Sequence, residues 1–299
     1  MGIPEENVIK VPYGNINAIE SAIQAESDGS QNRIIAVIVE PIRGEAAEVP
    51  PEGYLTNVAK VCRKNDIFSI FDEIKVGMGR TGKFCAFQHE DVVPDVVTLA
   101  KTLGGGKRAI GAMVTSQKMF DLAYGNKQDS TLHTSGFGGL GESCAVAIET
   151  LNVLFDEDLI GRAATMGSYF RDKLDRLQEK YPKTILEVRG KGLFQAIRLN
   201  FQQELADKIV DIENNPLFKT YQTVLVGGLT RELYERYNIL VHFQPGALDM
   251  LHFMPPLVVQ ESQIDTLISA LDEILSRGIS DTTIQFILKN MKQVFSFSK

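Results

Sequence analysis

Hydrophobic positions in this 299-residue chain change their spacing along its length. Between Arg33 and Asp95, short apolar runs alternate with amphipathic stretches. "RIIAVIVEP" is rich in β-branched residues and stops at Glu40-Pro41; "IFSIFDE" is a second run and stops at Asp72 and Glu73. Between them, "EGYLTNVAKVCRKN" places Leu55, Val58, Ala59 and Cys62 on one helical face. The economical reading is strand, helix, strand, and "DVVTLA" and "AIGAMVTS" add two further strands. Such continuous apolar runs predict an α/β domain whose mostly parallel sheet is covered on both faces. From Glu142 to Tyr181 the spacing turns helical, with a break expected near Gly161. "ILEVRGKGLFQAIRL" returns to strand-like runs, and Gln263 to Arg277 predicts a helix with Ser262 as its N-cap. The change of pattern predicts a large domain over 1–157, a smaller α+β domain over 158–277 and a helical tail over 278–299.

Composition narrows the function. At 44% apolar residues the chain can build a real core. Its net charge is −7 and its Lys and Arg are scattered, so no basic face is available for nucleic acid. The longest apolar run, Ile34 to Val39, is too short to cross a bilayer. Cys62, Cys85 and Cys144 are odd in number and widely spaced, which suits free thiols in a reducing, cytoplasmic setting. The four histidines lack metal-ligand spacing, so no metal site is expected.

In a parallel sheet, ligands gather outside the carboxyl ends of the strands. Glu40, Asp72 and Glu73 stand at such ends, and Lys101 follows one. Lys101 lies between the apolar "DVVTLA" and Gly104, Gly105 and Gly106, where the backbone can approach a ligand closely. A partly dehydrated amine there suits Schiff-base chemistry. A carboxylate at Asp72 would meet a pyridinium nitrogen and keep the ring protonated. Alternation puts Ile74 on the side of Asp72, able to pack on a flat ring, and turns Glu73 the other way.

"VIVEPIRGEAAEVPPEGYL", "FDEIKVGMGRTGKFCAFQHEDVVPDVVTLAKTLGGG" and "HTSGFGGLGESCAVAIETLNVL", followed by "VRGKGL" and "MPPL", closely resemble the successive motifs of class III pyridoxal-phosphate aminotransferases, over about residues 10 to 277. Putrescine and ornithine aminotransferases are among the similar proteins. The resemblance implies fold type I, the aspartate aminotransferase fold, with a partial large domain, a C-terminal α+β domain and usually a homodimer. It implies pyridoxal 5'-phosphate as cofactor, with Lys101 as the Schiff-base lysine and proton-moving base. It further implies Asp72 as partner of the ring nitrogen, Ile74 as the residue packed on the ring, and Glu40 and Glu45 as active-site glutamates.

Departures from the family pattern shape the expectation. Family members carry an upstream stretch holding a phosphate-binding loop and a ring-stacking aromatic residue; the expectation here is that another chain supplies that stretch, or that it is lost and the chain binds cofactor poorly or not at all. Lys75 stands where relatives have a glutamine that bonds the cofactor's phenolic oxygen; its cation either pairs with that oxygen or swings away. Gly136 replaces a phosphate-binding threonine, leaving Ser135 or Thr134 to compensate. His252 replaces the arginine that clamps a substrate α-carboxylate, and a neutral imidazole cannot make that bidentate pair. Arg43 is a candidate substitute cation. The expected activity is transfer of an amino group from an amine or amino acid to an oxo acid or aldehyde. The alternatives are an aminomutase or decarboxylase on the same scaffold, or a non-catalytic relic or subunit that needs a separate N-terminal fragment or chain.

Overall fold

The computed structural model describes residues 7–27, 33–129, 135–201, 216–244 and 246–279. They form two compact units, Met1–Gly44 with Val49–Ile160, and Glu45–Glu48 with Gly161–Lys299. Among the described residues, no helix is long and apolar enough to cross a membrane.

The first unit is built on a sheet of β1 (Ala36–Val39), β2 (Phe68–Asp72), β3 (Val96–Leu99) and β4 (Ala112–Thr115), in that spatial order. β1, β2 and β3 run parallel, and β4 runs antiparallel to β3. Helix α1 (Ile16–Ala25) starts at Asn15, whose side chain accepts the Ala18 N–H and so satisfies one free donor of the first turn. Helix α2 (Tyr54–Lys64) crosses from β1 to β2. It buries Leu55, Val58, Ala59 and Cys62, the face expected from their spacing. Leu55, Val58 and Cys62 pack in one core cluster with Val39 and Phe71 of the sheet and Ile19 and Ile23 of α1. β2 alternates accordingly: Ser69 and Phe71 are buried, whereas Phe68, Ile70 and Asp72 lie on the less covered face. Helices α3 (Gln117–Tyr124) and α4 (Gly141–Asp156) complete the unit.

The second unit takes in nearly all of α5 (Leu159–Lys180), then β5 (Ile185–Lys191), β6 (Phe194–Leu199), α6 (Pro216–Tyr237), β7 (His242–Gln244), β8 (Ala247–Phe253) and α7 (Glu261–Arg277). Its sheet is antiparallel throughout, in the order β5-β6-β8-β7. Phe170 and Leu174 of α5, Phe194 and Ile197 of β6, Leu251 of β8 and Leu271 of α7 form its buried centre.

Two local expectations change. The helical break falls at Glu157 and Asp158, not at Gly161, which lies inside the first turn of α5. Asp158 adopts a left-handed backbone at φ 46, a conformation aspartate tolerates better than most residues, and this separates α4 from α5. Helix α7 begins at Glu261 with Gln260 as N-cap, two residues before the expected Ser262. The Gln263 side chain accepts the Gln260 N–H at 3.0 Å, and the reciprocal bond closes a capping box at these two residues. The expected tail helix lies almost wholly outside the described residues.

Candidate active site

The registers Val39 with Phe71 and Asp72 with Thr98 align the carboxyl ends of three parallel strands on one edge. Glu40 follows β1, Asp72 ends β2 and Lys101 lies two residues past β3, so the topology gathers them there. Asp72 is half-buried, and its Oδ1 accepts the Ile74 N–H at 2.9 Å, a local turn that fixes the carboxylate. Lys101 is exposed and opens a short 3-10 turn in the left-handed region at φ 46, a strain on the order of 1 kcal/mol for a residue with a Cβ. The glycines after it differ in purpose. Gly105 has φ 57 and a Cβ there would meet Thr150 Oγ1 of α4 at 2.5 Å, whereas Gly106 has φ 69 and open space around it.

Glu73 turns to the opposite face and is only 1% exposed. Its Oε1 accepts the Phe87 N–H at 2.9 Å, while its peptide N–H donates to Thr98 O at 3.0 Å. Burial pushes its carboxyl up to about 7, against the pull of the Ala86 and Phe87 N–H groups and with a small push from the Asp72 charge. Burial likewise raises the Cys62 thiol to about 11 and the Cys85 thiol to about 12, so both are poor nucleophiles.

A cleft of about 330 Å3 opens beside this edge, lined by Tyr13, Val39, Glu40, Arg43, Tyr54 and Asp72 among others. Its rim is tied together by hydrogen bonds. Tyr13 OH donates to Glu40 O at 2.9 Å, Gly44 N–H donates to Glu40 Oε2 at 2.8 Å, and the Lys75 ammonium donates to Gly44 O. Lys75 therefore points at the Glu40–Gly44 turn.

Ser135 is exposed in a turn before α4, its Oγ accepting the Phe137 N–H at 3.2 Å, and Thr134 lies outside the described residues. Glu45 and His252 belong to the second unit. Glu45 presses its carboxylate on Gly246 of the β7–β8 hairpin, where a Cβ would collide with it. His252 is 2% exposed, its ring edge-on to Phe194 at 5.8 Å. Two polar groups at the first unit's edge carried no sequence signal. Tyr13 comes from before α1, and Thr98 reads as one more β-branched strand residue. Among the described residues no cluster of His, Cys, Asp or Glu is fit to hold a metal.

The model of the family described as aminotransferase class-III matches residues 2–275. The chain belongs to the class III aminotransferases. Among solved structures it is similar to the ornithine aminotransferase of Toxoplasma gondii, which is described with pyridoxal phosphate at partial occupancy in its active site; identity is 30%, TM-score 0.74, and the match covers 91% of this chain and 56% of that one. It is similar to the acetylornithine aminotransferase of Elizabethkingia anophelis at 32% identity and TM-score 0.72, covering 90% and 60%. It is similar to an (S)-enantioselective omega-transaminase of Thermomicrobium roseum at 30% identity and TM-score 0.73, covering 88% and 54%. The class III chain therefore has fold type I and spans less than two-thirds of the length of these structures.

Proposed function

We propose that this chain carries the reacting centre of a pyridoxal 5'-phosphate-dependent aminotransferase, moving an amino group from an amine or amino-acid donor to an oxo acid or aldehyde. The observation that carries this reading is the position of Asp72 and Lys101 at the carboxyl ends of neighbouring parallel strands. The residues present fit the cofactor: a half-buried carboxylate held by one N–H, an exposed amine past the next strand, and a buried Thr98 hydroxyl that, among the described residues, has no hydrogen-bond partner. When bound, the cofactor supplies an aldehyde and an electron-accepting ring. Asp72 would hold the proton on the ring nitrogen, with the Ile74 N–H keeping the carboxylate oriented. The Ile74 side chain would cover one ring face and exclude water from it. Lys101 Nζ would anchor the aldehyde carbon and move a proton at the substrate's amine-bearing carbon. Lys75 stands ready near the Glu40–Gly44 turn, and Ser135, with Thr134, offers hydroxyls to the phosphate.

Glu40, Arg43, Glu45 and His252 are the substrate-contacting candidates. A histidine in place of a carboxylate-clamping arginine favours an amine or ω-amino donor over an α-amino acid, and the similar proteins include an omega-transaminase. The test is spectroscopic. Purified protein with cofactor gains visible absorbance, borohydride fixes the cofactor on the Lys101 peptide, and Lys101→Ala abolishes both. Diamines should then discharge the colour faster than glutamate does; efficient turnover of glutamate and 2-oxoglutarate through a contact at His252 would remove the donor assignment.

The apolar edges of the first sheet favour a second form of this reading, in which a homodimer partner or a separate N-terminal chain completes the centre. Colour that develops only on addition of an upstream fragment would establish that form, and colour that never develops would leave a non-catalytic binding subunit.

A further inference from the structure

We propose that Thr98 is a positioning residue for Asp72, its hydroxyl donating to the carboxylate oxygen that Ile74 leaves open and so steadying the anion that holds the ring-nitrogen proton. The proposal rests on the aminotransferase reading above. β2 and β3 run parallel with Asp72 and Thr98 as register partners, so the two side chains leave the sheet on the same face. On that face the flanking residues are Val96, two positions earlier on β3, and Met113, the register partner of Thr98 on β4. Neither offers a strong acceptor, and Asp72 does.

The Thr98 hydroxyl is buried and, among the described residues, has no hydrogen-bond partner. A buried hydroxyl without a partner is unfavourable, and rotation towards the neighbouring carboxylate is the relief that its surroundings offer. Among the described residues, Asp72 is engaged at Oδ1 alone, by the Ile74 N–H at 2.9 Å. A second donor favours the charged carboxylate and fixes its plane, which matters for a group that must hold a ring proton through a reaction. The titratable and charged groups gathered at this edge are Tyr13, Glu40, Arg43, Tyr54 and Asp72 in the cleft, with Glu73 and Lys75 just after β2 and Lys101 past β3.

The test uses the full chain and pyridoxal 5'-phosphate. Its dissociation constant and the pH profile of the bound chromophore are measured for the wild type, Thr98→Val, Thr98→Ser and Lys101→Ala. Thr98→Val keeps the shape and loses the donor, so it should bind about tenfold more weakly, the loss of one hydrogen bond to a charged group, and shift the pH profile. Thr98→Ser keeps the donor and should restore the wild-type profile. A Thr98→Val protein indistinguishable from the wild type overturns the role of Thr98, as does an equal loss in Thr98→Ser. If the wild type binds no cofactor, with an absorbance no different from Lys101→Ala, the aminotransferase reading falls and the role of Thr98 with it; binding by the wild type with no effect at Thr98 removes this inference alone.

Discussion

The two sheets bury their apolar residues to different degrees. In the second unit, β6 has Phe194, Gln195, Ala196, Ile197 and Leu199 buried, and β8 lies beside it under equally complete cover from Met250 to Phe253. In the first unit, β4 exposes Met113 at 53% and its neighbour Val114 at 51%, one on each face, and Ile38 of β1 is 65% exposed. Helix α3 buries no residue, although Phe120 and Leu122 are among its side chains. Parallel sheets are normally covered on both faces, so a β1 or β4 with bare apolar side chains marks a sheet designed for cover it does not draw from the described residues. The second unit closes its own core; the first closes only the side under α1 and α2, and even there leaves Val114 of β4 half-exposed. The side left open is the one that carries Asp72.

Mutation can test that difference. The largest effect should come from the closed core: Phe194→Ala leaves a cavity and should cost about 3–5 kcal/mol in urea unfolding. Next is the buried acid of the first unit. Glu73 has its folded-state pKa raised from 4.5 to about 7, so its contribution to stability is full below pH 4.5 and is lost as pH rises through 7. Glu73→Gln removes that dependence, and from pH 5 to pH 8 the variant should gain on the wild type by roughly 3 kcal/mol at most. A stability difference that stays flat with pH would show that the carboxyl is ionised throughout.

Smaller still, Met113→Ala or Val114→Ala should cost under about 1 kcal/mol, because their side chains already meet solvent. Replacing Ile38 and Val114 together by threonine should lower apolar-dye binding and light scattering with little loss of stability. If either valine or methionine change matched the cost of Phe194→Ala, the contrast between the two sheets would be lost. The smallest effect is expected at the surface pair Arg198–Asp249, 2.7 Å apart, where Arg198→Ala should cost below about 1 kcal/mol.

Much of the candidate site was legible because it sits where strands end. The runs before Glu40, Asp72 and Lys101 are apolar apart from Ser69 and Thr98, and the change to charged residues marks the edge where ligands collect. Alternation also placed Glu73 away from Asp72, as its bond to the Phe87 N–H shows. Other features were not legible. Gly161 drew the helical break because glycine weakens helices, yet Asp158 makes it by adopting a left-handed backbone. Ser262 has the better capping side chain by type, yet Gln260 and Gln263 cap each other through a reciprocal pair. Lys75 left two directions open, and only the fold of the Glu40–Gly44 turn put a carbonyl within its reach.

The sequence by itself determined the order of strands and helices, the family, and which lysine and aspartate would stand at strand ends, because hydrophobic spacing and long motifs are properties of neighbours along the chain. Tertiary structure alone decided that Asp72 and Thr98 are partners, that Glu73 keeps a raised pKa, and that β1 and β4 carry uncovered apolar side chains. Those depend on which residues from distant segments meet, and on how much water remains between them. No local pattern encodes either.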